Sequence, residues 1–408
     1  HCKYCQHYYH RHYPEVFKNY SGLTDSNFRC HCCRLSDENL RRNRLHADDR
    51  RPFHYQIGIA DQASGCRGGK FLQVSDGNGF SHISEDTIEI NRNNYVDYIS
   101  LFAKLQKQTN ILDILLPLTE SVSNEKNTIV RFRQAQQVGL YRLAYIAKAL
   151  QKINAFDEVH IAVVTKDVFD VIGNENLNCN DSTVMAACKV IPQELSWIHC
   201  KHIDLTAGMS RKENLNALVS EYIKGSDRHT VAYRYGRRWV QQFQLQKQSY
   251  EGTDFVLREN GTYVIFGGLG HIGLCVARMI AQKVNANIVL INRSSFVPRC
   301  QWDKYIQLYR DDKALRIEAL QSIEKMGSKV EIFQTDIADT DGLCEVKKTI
   351  EERYGTIHGI IHSAGLVGAN QIVPIEEWTT ADCEKHFNAK VRGLFSLNDV
   401  FLKENTLD

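Results

Sequence analysis

A seven-residue turn, Gly-Gly-Leu-Gly-His-Ile-Gly at 267–273, joins an apolar run, TYVIF (262–266), to an amphipathic one, LCVARMIAQKV (274–284). A strand that passes through a glycine-rich turn straight into a helix opens a βαβ unit. It commits the chain around it to a parallel sheet with helices on its faces. Gly268, Gly270 and Gly273 satisfy GxGxxG. One such glycine makes the sharp turn, one lets the backbone approach a pyrophosphate, and one lets helix pack on strand. The N–H groups and positive dipole end of the new helix then face a phosphate, with Gly267, Leu269, His271 and Ile272 completing the backbone cradle.

The same alternation continues on both sides. Downstream, NIVLINR (287–293), KVEIFQTD (329–336) and IHGIIHSAG (357–365) read as strands, with helices expected at 312–326, 341–354 and 382–404. Upstream, short strands are expected at 71–74 and 87–90, and longer ones at 158–165, 200–205 and 230–235. Helical spacing covers 94–108, 130–152, 182–195 (stopped near Pro192) and 213–224. This predicts an α/β protein of two tandem doubly wound sheets over 71–254 and 255–408, with residues 1–70 apart from both. The upstream series offers no acid–base pair. Its end, YRYGRRWVQQF, reads either as an edge covering or as a phosphate clamp, the covering being the commoner use of Arg beside Trp.

Residues 1–70 hold seven of the 16 histidines, six of the 13 cysteines and about five excess positive charges. Cys2 and Cys5 have CxxC spacing, and CHCC follows at 30–33, so a small zinc module is one reading. An unstructured segment is the other, favoured because the second cluster is CxCC and strand periodicity is absent; no metal ligand is assigned. The remaining cysteines stand singly, mostly in apolar runs, as reduced buried side chains do. The formal net charge of +2 gives no global case for nucleic acid or an anionic bilayer, and no run of about 20 apolar residues suggests a membrane span. A cytoplasmic enzyme fits this cysteine usage better than a secreted disulfide scaffold. The first residue is His1, so the sequence is expected to be a piece of a longer protein.

Arg293 lies twenty residues past the last glycine, where an acid would accept from the ribose 2′-hydroxyl of NAD. Arginine there suits the 2′-phosphate of NADP, and Ser294 can add a hydrogen bond. The set GGLGHIG, NRS, TDIAD, HSAG and FNAKVRG resembles the short-chain dehydrogenase/reductase superfamily. More narrowly it is similar to the ketoreductase region of modular (type I) polyketide synthases. EVHIAVVT, VIGNE and STVMAACKVIPQEL are similar to the structural subdomain that precedes the reductase half there, and the likeness covers about residues 70–408.

The resemblance implies two Rossmann-like subdomains, the second binding NADPH. It implies that Asp336 and Ile337 flank the adenine and that Ser363, Ala364 and Gly365 border the cofactor. It also implies that Lys390 is the catalytic lysine. The implied reaction is reduction of a β-ketoacyl thioester on the phosphopantetheine of an acyl carrier protein, beside neighbouring synthase domains. The usual Thr before the glycines is Phe266, which removes a hydroxyl that commonly ties the turn to the fourth strand. LVGANQ after HSAG lacks a Leu-Asp-Asp signature, which leans towards an L-type alcohol. The family's Ser and Tyr, the latter its general acid, are expected beyond Asp408, so this segment alone is not expected to turn over. Two other readings remain: a nucleotide-sugar epimerase of the extended short-chain type, disfavoured by Arg293, and a non-catalytic NADP-binding or structural module.

Overall fold

The computed structural model describes residues 55–59, 70–118, 127–224, 229–245, 257–366 and 373–402. Of the segment 1–70, residues 1–54 and 60–69, and with them the question of zinc or disorder, lie outside the described residues, as do the 254/255 boundary and the LVGANQ signature beyond Leu366. Residues 55–59 and Lys70, expected to stand apart without strand periodicity, are instead strand residues of a sheet. The chain divides into two compact units, one reaching Gln244 and including Pro374–Glu376, the other formed by 245–373 and 377–408.

The first unit contains strands β1 (Tyr55–Ile59), β2 (Lys70–Asp76), β3 (Ser81–Ser84), β4 (Thr87–Ile90), β5 (Ile111–Pro117), β6 (Glu158–Lys166), β7 (Ile198–Leu205), β8 (Thr230–Arg234) and β9 (Arg237–Val240). They form one sheet in the order β3-β4-β2-β1-β5-β6-β7-β8-β9. β5 to β8 make one parallel run, and β2 also lies parallel to β4. β1 joins β5 antiparallel and β9 returns antiparallel along β8, so this sheet is mixed rather than wholly parallel.

Helix α1 (Tyr95–Leu105) starts where the Asn94 side chain accepts from Val96 N, and buries Tyr98, Leu101, Phe102 and Leu105 at helical spacing. The single helix expected over 130–152 is two, α2 (Thr128–Val138) and α3 (Leu140–Ile153), broken at Gly139. A Cβ at Gly139 would lie 3.1 Å from both Ala135 O and Val184 Cγ1, so neighbours crowd the break. Helix α4 (Val184–Glu194) runs on through Pro192, and α5 is Arg211–Lys224. One face of the sheet packs Leu112, Ile114, Val159, Ile161 and Val163 against α1, α3 and α4, while the other packs Val164, Ile203 and Leu205 against Ala217 of α5.

Tyr235 and Gly236 both have positive φ (48° and 73°) and make the two-residue turn of the β8–β9 hairpin. Arg234, 1% exposed, is turned inward onto Asp204 (2.6 Å) and Glu175 (3.1 Å), and Arg238 onto Glu221 (2.6 Å). The phosphate-clamp reading of this segment is therefore wrong, and the edge covering stands. Cys188 and Cys200 are buried as expected, but Cys179, Cys275, Cys300 and Cys344 are exposed.

The second unit is a four-stranded, wholly parallel sheet, order β12-β11-β10-β13, from β10 (Thr262–Phe266), β11 (Asn287–Asn292), β12 (Lys329–Gln334) and β13 (Gly359–His362). Tyr263, Ile265, Ile288 and Leu290 face α6 (His271–Lys283) and α8 (Asp312–Lys325). Val264, Phe266, Val289 and Ile291 face α9 (Thr340–Tyr354) and a last helix that begins as α10 (Thr380–Phe387) and continues to Leu402. A short α7 (Trp302–Leu308) precedes α8. Because β10 is flanked by β11 on one side and β13 on the other, the winding reverses at β10. The carboxyl ends of β10 and β13 thus border the crevice where such sheets bind ligands.

Candidate functional site

The sharp turn is made one residue earlier than GxGxxG suggests. Gly267 has φ +71°, and a Cβ there would lie 2.8 Å from both the N and the Cα of Ala364. Gly268 is buried with no room beside Leu290 (2.7 Å) and Ile265 O (2.9 Å). Gly273 packs the first turn of α6 against Gly267 O and the Gly268 Cα, both at 2.6 Å from a built Cβ. Gly270 is exposed and forms the helix N-cap without a side chain to satisfy it. Leu274 N closes the first bond back, onto Gly270 O (2.9 Å), so the amides of His271, Ile272 and Gly273 precede the helical ladder. His271 and Ile272 point their side chains outward, whereas Leu269 is buried. Such an uncapped, glycine-lined N-terminus fits a phosphate group through backbone donors and the dipole.

Arg293 and Ser294 are exposed just past β11. Arg293 lines a cleft of about 820 Å³ with Leu366, Glu384, Lys385, His386 and Asn388. Glu384 is paired with Arg392, and Asp382 accepts from Lys385 Nζ (3.1 Å) and Thr379 Oγ1 (2.7 Å), so the acids of this rim are engaged. Asp336 meets this cleft through Asn388. Its Oδ1 accepts from Ala338 N (2.9 Å) and from Asn388 Nδ2 (3.5 Å). Ile337 is buried against Gly393, which leaves its backbone, rather than its side chain, to face a ligand.

Beyond β13, Ala364 presses its backbone on Gly267, while Gly365 is exposed. Lys390 is exposed on a π-type turn, Asn388–Arg392, and its Cε lies 3.2 Å from a Cβ built at Gly365. The π-turn thus brings the lysine stem to the HSAG turn, and such turns are frequent at functional sites. His362 was not singled out from the sequence. Burial lowers its imidazole pKa, the Ala389 backbone opposes this by accepting from it, and Lys390 lowers it further.

Ser363 Oγ points inward. It donates to Phe266 O (2.7 Å), with a longer contact to Gly267 O (3.4 Å), so its proton is committed to the turn. Asn292, the last residue of β11, was also missed; its Oδ1 accepts from Leu269 N (3.1 Å). A polar residue ending the apolar run NIVLIN was the only sign of it.

A crevice at a switch point, a glycine turn under an uncapped helix and a basic residue after the second strand are the parts of a Rossmann half suited to a nucleotide. Residues 261–408 match the family model "KR domain", and residues 60–223 match "Beta-ketoacyl synthase-like, N-terminal". A polyketide synthase of Bacillus subtilis, PksL, is 28% identical over 256 residues, 60% of this chain but 5% of that protein. The 6-methylsalicylic acid synthase of Penicillium expansum is 28% identical over 211 residues, 50% of this chain and 11% of that one. The chain therefore spans a small part of the curated relatives it matches.

Among solved structures, an N-terminal ketoreductase from the macrolactin assembly line aligns with TM-score 0.63 at 20% identity, covering 82% of this chain and 62% of that one. A ketoreductase-containing multidomain structure of a keto acid-selecting NRPS module aligns with TM-score 0.67 at 22% identity, covering 82% and 28%. Residues 261–408 thus match a KR domain, and the chain is similar to parts of polyketide synthases. KR domains bind a nucleotide cofactor. The aligned NRPS-module structure is itself multidomain. Among the described residues no helix is long and apolar enough to cross a membrane.

Proposed function

We propose that this chain supplies the nucleotide-binding part of an NADPH-dependent β-ketoacyl reductase. Its substrate would be a β-ketoacyl thioester on the phosphopantetheine of an acyl carrier protein, reduced to the β-hydroxyacyl form among neighbouring synthase domains. The observation that carries this reading is the glycine turn on the uncapped start of α6, with Arg293 where an NAD-specific site would place an acid. The backbone amides of His271, Ile272 and Gly273, which precede the helical ladder, would hold the pyrophosphate. Arg293, with Ser294, would pair with the 2′-phosphate, and guanidinium–phosphate bonds are among the stronger charge-assisted kind. The Asp336 carboxylate would accept from the adenine amino group, and the Ile337 backbone would lie beside the ring.

When bound, NADPH would supply the hydride. Lys390 takes the catalytic lysine's part: its ammonium orients the ribose next to the nicotinamide and eases delivery of a proton by the acid. We assign the protein to the cytoplasm, where buried thiols such as Cys188 and Cys200 stay reduced.

The test is a pair of titrations of the chain with NADPH and with NADH, followed by fluorescence. NADPH is expected to bind at least about tenfold more tightly, and Arg293→Glu to erase that preference, since a phosphate salt link is worth roughly 1.4 kcal/mol or more. Equal affinity of the unaltered chain for the two nucleotides would overturn the NADP assignment.

A further inference from the structure

The phosphate-binding turn is gripped from both neighbouring strands by side chains that do not face the ligand crevice. From β13, Ser363 Oγ donates to Phe266 O at 2.7 Å, alongside its own N–H to the same oxygen at 2.9 Å. From β11, Asn292 Oδ1 accepts from Leu269 N at 3.1 Å, and the backbone adds Gly267 N to Ile291 O at 2.8 Å. The residue that opens the turn cannot help, because Phe266 is fully buried and packs edge-on against Phe401 (5.8 Å between ring centres). Presenting Oδ1 to Leu269 leaves Asn292 Nδ2 buried with no partner among the described residues, a cost that places the function of this side chain in its acceptor. The missing Cβ of Gly267 lets the turn lie against Ala364, so a loosened grip would shift donors aimed at a phosphate.

We propose that Asn292 and Ser363 are positioning residues that hold the Gly267–Gly273 turn ready for a pyrophosphate, taking over the tie that a hydroxyl at position 266 would provide. This rests on the nucleotide-binding reading above. Preformed donors add affinity because they need no ordering when the ligand arrives. The pair acts on the pyrophosphate end alone, since neither side chain borders the cleft lined by Arg293.

The experiment compares Asn292→Ala and Ser363→Ala with the unaltered chain for two ligands: NADPH, and 2′-AMP, which lacks the pyrophosphate. Each variant is expected to bind NADPH about tenfold more weakly, the effect of losing one buried hydrogen bond, and 2′-AMP within about twofold. Ser363→Thr, which keeps the hydroxyl, is expected to restore NADPH binding. If Ser363→Ala does not fold, Ser363→Cys, a weaker donor of similar size, is read in the same way. Unchanged NADPH affinity overturns the proposal, as does equal weakening of both ligands, which marks a general structural role. Failure of the unaltered chain to bind NADPH overturns the nucleotide reading itself and is seen before any variant is made.

Discussion

Gly267 and Gly270 look equivalent in the sequence, yet they carry different physical loads. Alanine at 267 would have to adopt φ +71° and place its Cβ 2.8 Å from Ala364 backbone atoms, whereas at 270 the nearest atom is Gly267 O at 3.1 Å. Gly267→Ala is therefore expected to abolish nucleotide binding and lower the melting temperature, while Gly270→Ala should fold normally; calorimetry on the two variants separates them. A second residue-scale expectation concerns Asp181. Burial, opposed by the Asn178 hydrogen bond and reinforced by Asp204, pushes its carboxyl up to about 6 from 3.8. The folded chain thus holds a proton that the unfolded chain has released, so this group's contribution to stability falls as pH rises from about 4 to 6 and stays lost above. Asp181→Asn should remove that slope and raise stability at pH 7 by up to about 3 kcal/mol, read from denaturant midpoints at pH 4 and 7. Local spacing made the glycines and Arg293 legible. The hold of Ser363 on the turn was not, because it depends on β13 lying beside β10 across 97 residues of chain, nor was that of Asn292, which depends on β11 lying beside β10.

At the scale of elements, strands with alternating burial or a clear β-branched run were readable, and those without were not. β5, ILDILLP, is rich in leucine and ends in proline, and a short apolar run of this kind does not separate strand from helix. Nothing in its seven residues says that it is the first strand of the parallel run. Helices α2 and α3 share one helical periodicity, and the break at Gly139 is imposed by Leu118 and Val184 from other elements. The β8–β9 hairpin left two readings open in the same manner, since the partners of Arg234 come from β7 and the loop after β6. Asp204 there also accepts from Val168 N (3.1 Å) and Thr165 Oγ1 (2.6 Å). Removing the cation would leave two buried carboxylates side by side without a counter-ion. Arg234→Met is expected to cost about 3–5 kcal/mol in chemical unfolding. If the cost falls below about 1 kcal/mol, the network does not hold this corner of the unit together.

Across the whole molecule, the two units show why similar α/β architecture need not mean a duplicated site. Both run parallel strands whose carboxyl ends could receive an anion. In the second unit those ends open on a glycine turn and the bare start of α6. In the first, the loop after β6 turns back, and Glu175 receives the amides of Val171 (2.9 Å), Ile172 (3.1 Å) and Gly173 (3.1 Å) while bonding Arg234. Burial alone would raise its carboxyl, but these amides and the guanidinium more than offset that and hold it at about 2. The backbone nest that could take a phosphate oxygen is thus occupied by the chain's own carboxylate, neutralised from within. The strand order reinforces this: β5 to β8 follow one another without a reversal, so no crevice opens between them, whereas β10 lies at a reversal. One dinucleotide per chain follows, and calorimetric titration with NADPH should give a stoichiometry of one. A Glu175→Ala chain should still bind one NADPH with unchanged affinity while losing stability at neutral pH, a loss that shrinks as pH falls from about 4.5 towards 2. A stoichiometry of two for the unaltered chain would mean that Glu175 and Arg234 yield their places to a ligand, and the closed reading of the first unit would fall.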